Sequence, residues 1–438
     1  MKNIVKIKLL ILKIGIRYFE NLRNSKLQII FPVYYKISRW IWEKLAGCNI
    51  FIIKSNKEYS VSHDSFSKLI RKDRIGYSTE VCSMGKVTAP QTLSAALPDL
   101  MLYCHKGVSI IAGSDHIISR REHIIINDFC SDNDKDDNNN IYIDKKTYMI
   151  QGRTAIIRDV KNCRDVKAGI MMSGKFPFNY YHVLFENLIR ILALKDVIRY
   201  IPSDVPFVVD EEVMSVSSFH RVFEILTSEM NREVIVINNN EMLNFGRLYC
   251  ITSVNYLVPK YKDERKGEVT DYLFDKEYVL RLRNCLLPFK SDNKYPKRLF
   301  LTRNKAAHRK FNEDEIYEIL KPYGFVKVAP ENYTFEEQMS LFDGAECVMG
   351  GSGAAFTNIL FCHEPCVAIT FFKYSTYLAP VFSTPLGFSG GEFMSFLSQD
   401  QSLDKAPQTI NYNIDKDVFK EYFFAKLLPQ LEYNSKLR

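Results

Sequence analysis

The chain has 438 residues, of which 46% are hydrophobic and 25% charged, and it carries a net charge of +8. That length exceeds one ordinary core, so two domains are expected, and the composition excludes a disordered or fibrous protein. The modest positive charge fits an anionic small ligand or an anionic membrane surface and gives little reason to expect nucleic acid as a partner.

Residues 1–50 read as a basic helical segment. Lys2, Lys6, Lys8 and Lys13 interrupt Met1 to Ile16, and no apolar run reaches the ~20 residues needed to cross a bilayer. Two readings stand for residues 1–20: a basic amphipathic helix lying on an anionic membrane, or a helix docked on the protein. Trp40 and Trp42 suit the first. Residues 51–150 hold short β-like runs, such as Val108 to Ala112 and His123 to Ile126, and an apolar-free stretch, Ser131 to Asn140, that reads as a solvated loop. That stretch lacks the glycine and terminal glutamate of a calcium loop. From about 151 an α/β pattern begins. Strands are expected over Val166 to Met172, Pro206 to Val209, Val234 to Ile237 and Leu248 to Ser253. Helices are expected over Tyr180 to Asp196 and Ser218 to Thr227. The charged stretch Lys260 to Glu268 and the Pro288 to Pro296 loop suit an interdomain region.

Arg298 to Phe371 then reads as strand-helix units in a row. Strands are expected over Arg298 to Arg303, Phe325 to Val328, Cys347 to Met349 and Val367 to Phe371. Asn312 to Glu315 and Thr334 to Glu337 have the form of capping boxes, and Gly324 fits a C-cap. Gly350-Gly-Ser-Gly353 turns into a helix from Ala354 to Phe361, and Asp417 to Leu428 is a C-terminal amphipathic helix. Alternation at this spacing implies parallel βαβ units, with a ligand site off the carboxyl ends of the strands. Ten cysteines are scattered without a disulfide-rich rhythm. They read as free thiols in a reducing compartment, and Cys362-His363 with Cys366 has no second pair to complete a metal site.

Two constellations suit chemistry. In the first, His182, Glu186 and Arg190 fall at i, i+4 and i+8 of a helix whose other faces are apolar, with Asn179 just before it. Such a stripe either faces a cleft, where it binds substrate or moves a proton, or forms an internal His–Glu–Arg network. In the second, the glycine turn stands beside Arg303, Asn304, Lys305 and Arg309. Ser352 and the amides of Gly353 and Ala354 suit a phosphate at a helix N-terminus, and the alternative is a turn needed only for tight strand-helix packing. The turn is neither a Walker loop nor a dinucleotide fingerprint, which disfavours a dehydrogenase, and Gly-x-Ser-x-Gly does not fit at Ser352.

The ordered motifs resemble family 61 of the glycosyltransferases. The family's Arg-x-x-x-(Ser/Thr)-Arg is matched by Arg298 and Thr302-Arg303. Its downstream Arg with Asn-Glu is matched by Arg309 and Asn312-Glu313, and its Gly-Phe with Pro-Glu by Gly324-Phe325 and Pro330-Glu331. Glu337-Gln338 and Phe342 to Ala345 follow in order. The hallmark Gly-x-His-Gly-Ala-x-(Leu/Phe)-Thr-Asn meets Gly350-Gly-Ser-Gly-Ala-Ala-Phe-Thr-Asn358 here, and the upstream Asn-Tyr-(Tyr/Phe)-His-x-Leu-x-Glu-x-x-x-Arg is present from Asn179 to Arg190. Ser352 replaces the family's His, and Thr370 stands where eukaryotic members tend to have Glu.

The resemblance implies an inverting transferase of α/β, GT-B-like fold, with two Rossmann-like domains facing an interdomain cleft. The expected division is a basic segment 1–50, an acceptor domain 51–285 with a β-rich insertion, a nucleotide-sugar-binding domain 286–410, and a C-terminal helix 411–438. Donor-site residues are expected to be Arg303, Asn304, Lys305, Arg309, Glu331, Gly351, Ser352, Gly353, Ala354, Thr357 and Asn358. His182 or Glu186 is the expected base, with Asn179 and Arg190 beside the acceptor. No metal or other cofactor is expected. The partners would be a nucleotide sugar and a glycan or lipid-linked glycan acceptor, in bacterial capsule or surface polysaccharide synthesis, in the cytoplasm or on the inner face of its membrane. The competing expectations are a degenerate relative acting as a nucleotide- or glycan-binding or scaffold protein, and another Rossmann-fold nucleotide-dependent enzyme.

Overall fold

Short, largely apolar runs bounded by proline, glycine or charge decide the architecture. Phe207–Asp210 and Val367–Phe372 are buried at every position, as strands covered on both faces must be. A computed structural model describes residues 49–63, 65–80, 91–127, 147–151, 153–157, 160–257, 271–303, 309–373, 378–398 and 411–437, with residues 14, 39–41, 43 and 44. The expectations for residues 1–20 and for Ser131 to Asn140 and Lys260 to Glu268 therefore lie outside the described residues, Ile14 excepted. Among the described residues no helix is long and apolar enough to cross a membrane.

The chain is a mixed α/β protein, with three sheets among the described residues. In the largest, Val234–Ile237, Phe207–Asp210, Asn162–Met171 and Glu241–Ile251 lie side by side in that order, all parallel. The sheet continues through the antiparallel strand Leu100–Ile111 into the short strands of residues 49–157. The β-like runs of that region thus extend the α/β sheet. A second, four-stranded sheet of Tyr256–Leu257, Tyr272–Asp275, Arg74–Thr79 and Thr92–Leu97 was not legible in the sequence.

The third sheet is all parallel, in the order Phe325–Val328, Arg298–Leu301, Cys347–Gly351, Val367–Phe372, Glu392–Leu397. The expected strands fall within two residues of these bounds. One face is covered by the C-terminal helices, which bury Phe419, Phe423, Leu427 and Leu431 against Phe300, Ile369 and Phe371. The other face joins a core that runs without a break into the first sheet, taking in Leu188, Phe223 and Leu282 as well as Phe342, Leu360 and Phe393. The Thr334–Glu337 capping box forms. The Asn312 box does not, because the Asn312 amide instead pairs with the backbone of Ile414, accepting from its N at 2.8 Å and donating to its O at 2.9 Å.

Candidate active site

In strand order the third sheet reads second, first, third, fourth, fifth, so it reverses direction between Arg298–Leu301 and Cys347–Gly351. Parallel sheets open a crevice at the carboxyl ends of the strands flanking such a reversal. A cleft of about 500 Å³ lies there, lined by residues that include Thr302, Arg303, Lys327, Glu331, Tyr333 and Gly351.

Arg303 lies across the glycine turn, its Nη1 donating to the Ser352 carbonyl at 2.8 Å. The glycines make room for it. A Cβ on Gly353 would stand 2.0 Å from Arg303 Nη1, and one on Gly351 2.8 Å from Arg303 Cδ. Burial, then the nearby Arg309, pulls the Arg303 guanidinium down to about 10. Arg309 itself sits in the left-handed region at φ 59°, uncommon for a residue with a side chain. Two guanidiniums near each other in a half-buried crevice are held at a cost that an anion between them would relieve.

The turn differs from the expected phosphate cradle. The Ser352 amide donates to Phe371 O at 3.1 Å within the sheet, and its carbonyl is taken by Arg303. Residues Ala354–Phe361 form a 3₁₀ helix rather than an α-helix. Thr357 and Asn358 are almost fully buried and face the interior, and Thr370 is fully buried in register between Gly350 and Ser395. Glu331 lines the cleft, whereas Asn304 and Lys305 lie outside the described residues. Glu313 was not named as a site residue. Its carboxylate accepts from Thr302 Oγ1 at 2.5 Å and from the Arg303 amide at 2.8 Å, and so fixes how the chain leaves the strand. The Asn312-Glu313 dipeptide was its only signal.

In the first sheet the same kind of reversal falls between Asn162–Met171 and Glu241–Ile251, and the first constellation, with Glu186 and Arg190, lines a cavity there beside Met171 and Ile251. The helix begins at Tyr180–His182, capped by Asn179, whose side chain accepts from the Tyr181 amide at 3.0 Å. It then widens into a π-helical segment, Val183–Leu188, before Arg190–Val197. His182 and Glu186 remain together, Nδ1 to Oε1 at 2.6 Å, and both are mostly covered.

Arg190 does not continue the stripe. A π turn shifts the phase of everything after it, and the Arg190 guanidinium turns inward, donating to Ser173 O at 2.7 Å and Asn187 O at 3.2 Å. The cation that meets Glu186 is Lys175, with Nζ 3.2 Å from Oε2. Burial alone would raise the Glu186 carboxyl, but Lys175 and His182 outweigh it and hold it at about 2. A carboxylate so ionised only accepts hydrogen bonds. His182 Nδ1 therefore carries a proton and donates it to Glu186. The loop carrying Lys175 is anchored by buried Asp210, which accepts from the Gly113 amide at 2.8 Å and the Gly174 amide at 3.0 Å. Burial pushes Asp210 up to about 7 against the pull of those amides.

A chain of buried polar groups joins the two constellations. Tyr180 donates to Asn358 Oδ1 at 2.8 Å, Asn358 Nδ2 to Gln338 Oε1 at 2.9 Å, and Gln338 Nε2 to the carbonyl of Tyr333 at 3.1 Å. Tyr333 lines the cleft, and Tyr180 opens the helix of His182. Asn358 therefore ties the two parts together rather than lining the ligand crevice.

No curated protein matches the chain. Residues 180–369, which begin at the helix of His182 and end in the strand after the glycine turn, match the family model described as Glycosyltransferase 61, and this part of the chain is similar to that family.

Proposed function

We propose that the protein is an inverting glycosyltransferase that moves a sugar from a nucleotide-sugar donor to a glycan or lipid-linked glycan acceptor. The observation that carries this reading is Arg303, laid over Gly351 and Gly353 with Arg309 close enough to act on its charge, at the strand reversal where a parallel sheet binds its ligand. The donor diphosphate lies against the two guanidiniums, with Glu331 and Tyr333 along its path. The acceptor lies by the helix of His182, in a GT-B-like arrangement of residues 51–285 with residues 286–410. The acceptor hydroxyl attacks the anomeric carbon as the sugar–phosphate bond breaks. The bonding pair leaves with the nucleoside diphosphate, and the His182–Glu186 pair takes the hydroxyl proton. Positioned guanidiniums stabilise the charge that grows on the leaving group, so no metal is required for that task. We place the reaction in bacterial surface polysaccharide synthesis, on the cytoplasmic side of the membrane.

Calorimetry with UDP, GDP and CDP, with and without EDTA, tests the donor site, and hydrolysis of a panel of nucleotide sugars tests the reaction. Binding of one nucleotide unchanged by EDTA is expected. Loss of binding in EDTA would overturn the metal-free reading, and no binding of any nucleotide would remove the donor site.

A further inference from the structure

Nothing in the motifs pointed to Lys175, yet it is almost fully buried and stands 3.2 Å from Glu186 Oε2 and 3.8 Å from Asp115 Oδ2. Glu186 divides its two oxygens, Oε1 toward His182 and Oε2 toward Lys175. A carboxylate with each oxygen against a cationic or N–H partner, and held at about 2, is a poor proton acceptor, but it is well suited to orient an imidazole. The ring is confined besides, by Phe176 at 4.9 Å and Tyr181 at 5.4 Å. The lysine is in turn held in place, because the Gly174 amide beside it is bonded to Asp210 and a Cβ on Gly174 would stand 2.1 Å from Asn187 Oδ1.

We propose that Lys175 is a positioning residue that occupies the second oxygen of Glu186, so that His182, through Nε2, is the base and Glu186 only orients it. This rests on the transferase reading for the word base, but the positioning itself concerns three side chains of this chain alone. In the step, the acceptor O–H bond breaks and the proton passes to Nε2. The oxygen bonds to the anomeric carbon, and the carbon–phosphate-oxygen pair leaves with the diphosphate. The imidazolium that forms is stabilised by Glu186 and later returns its proton to water.

Lys175 also tempers how strongly Glu186 attracts a proton to His182. The charged groups around the pair are Asp115 on the Lys175 side, Arg190 on the same helix, and Asp210 behind Arg190. With Lys175 replaced by Met, the whole charge of Glu186 acts on His182.

The test is the titration of the His182 ring by NMR, assigned by its loss in His182→Ala. It needs neither donor nor acceptor. In Lys175→Met the midpoint rises, and in Glu186→Gln it falls. In the double variant Lys175→Met/Glu186→Gln it equals that of Glu186→Gln alone, because Lys175 acts through the carboxylate. Lys175→Arg restores the wild-type midpoint. A midpoint unmoved by Lys175→Met, or moved equally with Gln at 186, overturns the proposal. If Lys175→Met does not fold, Lys175→Gln, which keeps a hydrogen-bond donor beside Glu186 but no charge, takes its place, with the same rise expected and an unmoved midpoint overturning the proposal. In turnover, Lys175→Met keeps nucleotide affinity, lowers kcat by up to the roughly 10²–10⁴-fold a general base contributes, and moves the acid limb of the rate profile to higher pH. Failure of every nucleotide to bind would sink the transferase reading while leaving the titration result standing.

Discussion

Replacing Gly353 by alanine separates a ligand-binding arginine from a structural one. The new Cβ would stand 2.0 Å from Arg303 Nη1, so the guanidinium must leave its place and lose the 2.8 Å bond to Ser352 O. The backbone itself is not strained, since Gly353 is extended at φ 179°, which alanine adopts readily. The atom displaced is the far end of a flexible side chain, so the fold loses about one part-buried hydrogen bond, or ~1 kcal/mol. Donor binding loses more. A charge-assisted contact to phosphate is worth roughly 1.5–3 kcal/mol, which is about 10- to 100-fold in affinity. Calorimetry with the preferred nucleoside diphosphate, alongside urea unfolding, reads both quantities. Arg303→Ala should weaken binding to the same degree, and the double variant Gly353→Ala/Arg303→Ala no further. Wild-type affinity in Gly353→Ala, or a stability loss of several kcal/mol with affinity unchanged, would refute the argument that this arginine is placed for a ligand.

Arg309→Ala should likewise weaken nucleotide binding about 10- to 100-fold, and unchanged affinity in the same calorimetry would remove Arg309 from the donor site. Tyr180→Phe leaves Asn358 Oδ1 buried without its donor, so urea unfolding should show a loss of ~1–3 kcal/mol while nucleotide affinity holds; an unchanged stability would mean that the Tyr180–Asn358–Gln338 chain ties nothing together. Asp210, pushed up to about 7 by burial, keeps a proton in the folded protein that the unfolded chain has already released. Its contribution therefore falls as pH rises from about 4 to about 7, by at most about 4 kcal/mol, and Asp210→Asn should flatten that part of the stability profile. Residues 1–20 should confer binding to acidic liposomes that their removal abolishes and high salt weakens; indifference of the full chain to such liposomes at low salt would leave the docked-helix reading.

The sequence by itself determined the parts whose causes are local. Val234–Ile237 and Phe325–Val328 were placed to the residue, because a short apolar run between turn formers has few other fates. The Thr334 capping box formed because everything it needs lies within four residues. His182 and Glu186 were paired by a single helical turn. What only the tertiary structure decided depends on partners distant in the chain or on a change of helical phase. The Asn312 box was lost because Ile414, about a hundred residues on, offered that side chain a backbone pair. Arg190 left its stripe because a π segment, invisible to a 3.6-residue period, rotated it inward. Lys175 and Glu313 each act across a fold-made contact; Lys175 carries no local pattern of its own, and Glu313 only the Asn312-Glu313 dipeptide. The glycine turn was legible as a close approach, but that the approaching group is the chain's own Arg303 required the sheet, which sets the end of Arg298–Leu301 beside the end of Cys347–Gly351.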